Sequence, residues 1–302
     1  MVYLLKNFIC CQYRLVIVLS LIMVSWTSCQ NQNITDITNI QPLQSIEATP
    51  QNHYKTLQTF SPKANPNKAK LDEIRFPKKS NQWLIKTFSP AYLDRTTIKE
   101  IMLTLQPPAN SSNQTRAELD FLLELQKTRT PEQVKNALRL HDIVYFPIIG
   151  MRDEQELFFE AYELLGTDFN HESYPKTQQL LHNIMKEMRI MEFTAKNHIL
   201  RARPRQLEAN LTPLKKMSSS SFASGHTLWA YMQAYLWGEL LPDKREAFID
   251  LAYEIGFSRE ILGVHYPSDE EVSRKLAHQL LTEIWKNPNF KKDFQAAKKE
   301  WE

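Results

Sequence analysis

Apolar residues recur every three to four positions along the second half of the chain, and that spacing predicts helices rather than strands. Leu119, Leu122 and Leu123, followed by Gln126, form a first stripe, with a capping-box spacing at Thr115 and Glu118 ahead of it. Thr130-Pro131-Glu132-Gln133 predicts a second helix start, with proline in the first turn and Gln133 at the third helical position. A third stripe, Leu157, Phe158, Ala161, Tyr162 and Leu165, ends at Gly166. Pro175 opens a long helix carrying Leu180, Leu181, Ile184, Met188, Met191 and Ala195. Two more helices are predicted over 227–241 and 244–262, and 270–286 is the last strongly periodic stretch. No six-residue run after residue 110 alternates cleanly, so an all-α domain is expected over residues 105–302.

The chain ahead of that domain reads differently. Lys6 and Arg14 accompany the apolar run of residues 15–26, and the polar run QNQN follows at 30–33. This is a signal-peptide pattern over residues 1–29, short for a membrane span. Ser28-Cys29 resembles a bacterial lipoprotein cleavage box in which Cys29 becomes the lipidated first residue, although Trp26 departs from the small aliphatic residue such a box prefers. Lipidation at Cys29, ordinary cleavage and retention as an anchor stay open. All three carry the domain across an inner membrane, into the periplasm or anchored facing it. Residues 30–67 are rich in Asn, Gln, Thr, Ser and Pro and show no period. Residues 68–104 hold aromatics that could dock on a domain but no clear element. Together, 30–104 is read as a polar tether and an unassigned arm.

Composition narrows the chemistry. Only 6 of 302 residues are glycine, which disfavours glycine-rich nucleotide folds. The net charge of +3 includes Lys6 and Arg14, so the remainder is near neutral and asks for no nucleic-acid partner. Cys10, Cys11 and Cys29 are the only cysteines, leaving the folded part without a disulfide, a thiolate nucleophile or a cysteine-ligated metal.

Three islands concentrate chemistry: KNHILRARP (196–204), SSSSFASGHT (218–227) and SREILGVHYPSD (258–269). Lys196 and Arg203 are seven apart, so two turns of helix would put them on one face, and Arg201 and Arg205 add charge. Arginine forks and lysine point charges suit a multiply charged anion. In the second island Ser224-Gly225-His226 leads into a helix whose free N–H groups favour an anion. In the third, Pro267 puts His265 just outside a helix and Asp269 near its start, where the carboxylate can hold one imidazole nitrogen and leave the other bare. Arg259 lies within reach of the same anion. Each island alone has a plainer reading: a solvated basic face, a serine cap, a locally satisfied histidine. His226, His265 and Asp269 could also ligate zinc, but Lys196, Arg203 and Arg259 would repel a cation and hold a phosphate. His53, His141, His171, His182 and His278 lack such company; His198, between Lys196 and Arg203, is the one placed to stand behind the site.

Together the islands resemble the signature of the type-2 phosphatidic-acid-phosphatase (PAP2) superfamily, which includes bacterial class A non-specific acid phosphatases and vanadium haloperoxidases. The pattern Lys-x6-Arg-Pro is intact at Lys196, Arg203 and Pro204, and Ser-Arg-x5-His-x3-Asp is intact at Ser258, Arg259, His265 and Asp269. Pro-Ser-Gly-His reads Ala223-Ser224-Gly225-His226, with alanine for proline. The resemblance implies a helical bundle of the PAP2 and vanadium haloperoxidase type, and a metal-independent acid phosphatase, with no cofactor, acting on small phosphomonoesters. It implies that Lys196, Arg203, Ser224, Gly225 and Arg259 bind the phosphoryl group. It further implies that His265 attacks phosphorus, Asp269 orients His265, and His226 moves the proton of the leaving oxygen. The alternatives are a lipid phosphate phosphatase acting on phospholipid-derived substrates, a vanadium haloperoxidase, and a phosphate- or phospholipid-binding lipoprotein without turnover. By analogy with soluble relatives, a homodimer is expected.

Overall fold

The computed structural model describes residues 52–143, 157–166 and 168–302. The signal-peptide and Cys29 expectations, and the tether up to residue 51, lie outside them. In chain order the α-helices are α1 Asn52–Leu57, α2 Gln82–Thr87, α3 Arg95–Thr104, α4 Asn113–Thr128, α5 Pro131–Ile143, α6 Phe159–Leu165, α7 Pro175–Ile199, α8 Pro204–Leu207, α9 Gly225–Leu240, α10 Arg245–Ile261, α11 Pro267–Ile284 and α12 Pro288–Lys298. Among the described residues there is no strand, only an isolated antiparallel bridge between Arg75 and Arg201. The fold is all-α, as the apolar periodicity predicts. Among the described residues no helix is long and apolar enough to cross a membrane.

Helix α9 is the axis. All 16 of its residues are buried, which its sequence GHTLWAYMQAYLWGEL anticipates by being apolar nearly all round. Helices α10 and α11 pack along it, α7 crosses it, and α5 covers α10. Two of its polar side chains pair within the core: the Trp237 indole donates to Gln233 Oε1 at 2.7 Å, and Gln233 Nε2 donates to the Leu157 carbonyl at 2.7 Å.

Local signals place most helix ends. Thr130 and Gln133 form reciprocal bonds, Thr130 N to Gln133 Oε1 at 2.8 Å and Gln133 N to Thr130 Oγ1 at 3.1 Å, as their spacing predicts. Gly166 closes α6 at φ 90°, a backbone conformation that glycine adopts without a Cβ penalty. One expected cap is displaced. Helix α4 begins at Asn113 because Ser112 Oγ accepts from Thr115 N at 3.0 Å, and Glu118 is a fully buried core carboxylate rather than a capping partner.

Two regions carry helices that periodicity alone does not reveal. The segment after residue 80 folds into α2 and α3, which pack on α7. Glu187 Oε1, at the middle of α7, accepts the backbone N–H groups of Ala91, Tyr92 and Leu93 at 2.6, 2.5 and 3.1 Å. At the far end, α12 follows the last strong sequence stripe and packs on α7 through Phe290, Phe294 and Ala297. Beyond it, Glu300 accepts from Lys176 N and Thr177 N at 2.7 and 2.8 Å, placing a carboxylate at the positive end of α7.

Replacing Glu187 by alanine leaves three N–H groups without their acceptor. The expected cost is about 2–4 kcal/mol of unfolding free energy, measured by denaturant titration, and Glu187→Gln should recover part of it.

Candidate active site

Lys196 and Arg203 converge through a break in the chain, not along one helical face as their spacing suggests. Helix α7 stops at Ile199, and Leu200 turns into the left-handed region at φ 51°. Residues 201–203 then run extended, with Phe76 N donating to the Leu200 carbonyl at 2.9 Å. Pro204 disfavours helical backbone at Arg203 and opens α8 instead. The two cations hold the serine run by its carbonyls: Lys196 Nζ donates to Ser220 O at 2.9 Å and Arg203 Nε to Ser219 O at 2.9 Å.

The third island is organised by Asp269, which is fully buried in the first turn of α11. Its Oδ1 accepts from Arg201 Nη1 at 2.6 Å. Its Oδ2 accepts from Ser221 Oγ at 2.5 Å, from Tyr266 N at 3.1 Å and from His265 Nδ1 at 3.2 Å. On its other ring nitrogen, His265 Nε2 lies 2.9 Å from Arg203 Nη1. A guanidinium can only donate, so Nε2 is the acceptor and the neutral ring carries its proton on Nδ1, toward Asp269. His265 sits just before α11, as Pro267 implies.

A cavity of about 310 Å³ brings these groups together. Lys196, Arg203, Gly225, His226 and His265 all line it. Asp269 stands behind His265. Ser224 and Arg259 are also outside the lining. The Ser224 hydroxyl faces Thr227 at 3.1 Å inside the first turn of α9, and its N–H donates to Ser273 Oγ at 2.9 Å. Arg259, fully buried, points Nη1 at His141 Nδ1 at 3.0 Å. Among the described residues, no group of three or more His, Cys, Asp or Glu side chains could hold a metal ion.

Four contributors were not singled out from sequence. His141, at the end of α5, lines the cavity, stacks on His226 with ring centroids 5.2 Å apart, and accepts His226 Nε2 on its carbonyl at 3.3 Å. Arg201, read only as added charge, is the buried partner of Asp269. It also meets Glu118 at 3.5 Å and the Tyr266 ring face at 4.0 Å. Glu192 lines the cavity 3.9 Å from Lys196, and its carboxylate lies so close to Gly225 that a Cβ there would collide with it. Glu270, next to Asp269, accepts from Thr227 and has an oxygen 3.8 Å from His265 Nδ1. His198 is exposed and lines a different groove, so it does not stand behind the site.

Burial and like charge set the ionisation. Burial, then Arg203, pushes the Lys196 ammonium down to about 7. Burial and then Arg203 lower His265, and burial and then Arg259 lower His226, both well below 6.5. Burial and the Arg259 charge take His141 down to about 4. Burial alone would raise Asp269, but Arg201, His265 and Ser221 hold it below the usual carboxylate range. Burial raises Glu270 well above that range. The cavity is thus faced by cations and neutral imidazoles, with the Glu192 carboxylate held by Arg189 at 2.5 Å, and it suits an anion.

Residues 179–292 match the family model of the PAP2 superfamily. A non-specific acid phosphatase of Providencia stuartii is 29% identical over 145 residues, covering 46% of this chain and 58% of the relative. One of Salmonella typhi is 26% identical over 145 residues, covering 45% and 57%. The chain therefore spans a little over half the length of the curated relatives it matches. Two solved structures align: a transmembrane PAP2-type phosphatidylglycerolphosphate phosphatase from Bacillus subtilis, and a bacterial vanadium-dependent iodoperoxidase. The first has TM-score 0.42 and 20% identity over 63% of this chain and 90% of that one. The second has TM-score 0.43 and 15% identity over 60% and 50%.

Lys196 is charged below its pKa of about 7 and neutral above it. Affinity for sulfate, which does not itself titrate near neutrality, should fall as pH rises through about 7 in a calorimetric series. Lys196→Arg should remove that inflection, because a guanidinium stays charged.

Proposed function

We propose that this chain, whose residues 179–292 match the family model of the PAP2 superfamily, is a phosphomonoester hydrolase, an acid phosphatase working through a phosphorylated His265. One observation carries the reading: His265 turns Nε2 toward a cavity lined by Lys196 and Arg203 while Nδ1 rests on buried Asp269. The relatives named non-specific acid phosphatase support the same class.

The chemistry follows from the geometry. Lys196 and Arg203 take the phosphoryl oxygens, and Arg259 adds its charge from behind His141. Donors fixed in place before the reaction stabilise charge that spreads over the equatorial oxygens. As the substrate's oxygens engage Arg203, the lone pair on His265 Nε2 is released toward phosphorus. The N–P bond forms as the P–O bond to the leaving group breaks, and His226, protonated, gives its proton to the departing oxygen. Asp269 then offsets the positive charge on phosphorylated His265. Water attacks phosphorus next, losing its proton to His226, and the P–N bond breaks to release inorganic phosphate and neutral His265. No step passes through a metal. Burial and then Arg259 depress His226 in the free site, so its donor form belongs to acid pH, in keeping with an acid phosphatase. The N-terminal pattern supports export to the periplasm, with Cys29 as the candidate lipid anchor.

The decisive assay is phosphomonoester hydrolysis with EDTA present. The expected result is metal-independent turnover that falls by about a thousandfold or more in His265→Ala, together with acid-labile phosphate trapped on the wild-type chain and absent from the variant. A requirement for divalent metal would sink the reading, and vanadate-dependent halide oxidation would move the chain to another branch. The kcat/KM profile should fall as pH rises toward 6.5, the ordinary histidine value, and His226→Asn should lose that limb.

A further inference from the structure

The phosphoryl-binding groups account for only part of the cavity. Asn81, Trp83 and Leu84 line it as well, beside Phe193. They come from the segment ahead of the family core, at the start of α2. Leu84 and Phe193 are buried, whereas Trp83 is 46% exposed, one of the few large apolar side chains so open in the described fold.

The backbone just ahead of Trp83 is tied down. Ser80 N donates to Asn197 Oδ1 at 2.8 Å, and Asn197 Nδ2 donates back to Ser80 O at 3.0 Å. Asn197 is the residue after Lys196, so the arm is pinned to the helix turn that carries a phosphoryl ligand. Asn81 then turns through the left-handed region at φ 48° to begin α2. One side of the indole meets the Phe88 ring at 6.3 Å in an edge-on arrangement, which fixes its tilt. An exposed indole next to a hydrogen-bonded anchor therefore shares one cavity with Lys196 and Arg203.

We propose that Trp83, from the arm ahead of the matched residues, forms a leaving-group subsite that stacks a planar ring carried by the phosphoryl group and so discriminates ring-bearing from alkyl-chain ligands of the same head group. A flat π face with polar Asn81 and Arg189 nearby suits a ring more than a flexible chain. The cavity of about 310 Å³ lies at the lower end of small-molecule pockets, enough for one phosphoryl group and one ring system. The subsite rests on the phosphatase reading for its chemistry, but its test does not need turnover.

Calorimetric binding of three phosphonates to the full protein makes the test: methylphosphonate, phenylphosphonate and n-hexylphosphonate. All share the head group, and the last two share carbon number. Wild type should bind phenylphosphonate about tenfold or more tighter than methylphosphonate, and more tightly than the hexyl compound. In Trp83→Ala the phenyl-to-methyl ratio should shrink to about twofold or less, and in Trp83→Phe most of it should remain. A ratio unchanged in Trp83→Ala overturns the proposal, as does the absence of a phenyl preference in wild type. Equal binding of the hexyl and phenyl compounds also overturns it, making the wall an acyl-chain surface. Absent phosphomonoester turnover with the ratio intact removes the phosphatase reading and leaves the ring subsite standing. Failure of all three phosphonates to bind overturns both.

Discussion

A single buried carboxylate, Asp269, sets the terms for the rest of the site. An ionised group out of water is costly unless its oxygens are filled by good donors. Asp269 meets that demand with Arg201 on one oxygen and Ser221, Tyr266 N and His265 on the other. The donors arrive from three stretches of chain. Arg201 comes from the extended segment after α7, Ser221 from the serine run, and His265 and Tyr266 from the approach to α11. Satisfying one charge therefore fastens three islands together. Loss of Arg201 would leave that charge uncompensated, a cost of about 3–5 kcal/mol for buried pairs of this kind.

The same arrangement explains why His265 is available for chemistry. Its Nδ1 proton is committed to Asp269, and the lone pair on Nε2 faces the cavity, where Arg203 donates to it. Burial keeps the ring neutral. Around it, Lys196 and Arg203 are held at fixed distances by carbonyls of the serine run, so positive charge is in place before an anion arrives. His226 is supported separately, by the His141 ring and carbonyl, on the side where Arg259 is buried. His265 and His226, the nucleophile and the proton carrier of the proposed reaction, thus draw on different supports, and their ionisation can be tuned apart.

How much of this was readable in the chain depends on whether the determining contact is local. Long helices were legible because their apolar stripes repeat over many turns, and α9 was conspicuous because its sequence has almost no polar face. The short helices α2 and α3 were not legible, since Glu187 and Asn197, about a hundred residues away, hold their backbone. Helix α12 escaped notice for a related reason: only Phe290, Phe294 and Ala297 mark its buried side. In the site, motif order named Lys196, Arg203, Gly225, His226 and His265, which the structure gathers around one cavity, but not how they are placed. Arg201 reads as one more surface charge until its burial is known. Lys196 and Arg203 look like neighbours on a helix, yet a left-handed turn at Leu200 brings them together. Ser224 looks like a ligand, yet its hydroxyl lies within the first turn of α9. His141 carries no local signal, because its value comes from stacking on a residue eighty-five positions later.

The most direct test of the account is the protonation of His265 itself. In ¹⁵N NMR of the protein with labelled histidine at neutral pH, assigned with a His265→Gln variant, Nδ1 should appear protonated and Nε2 unprotonated. An imidazolium signal, or a proton on Nε2, would contradict the claim that Asp269 and Arg203 together present a neutral, correctly turned nucleophile to the cavity.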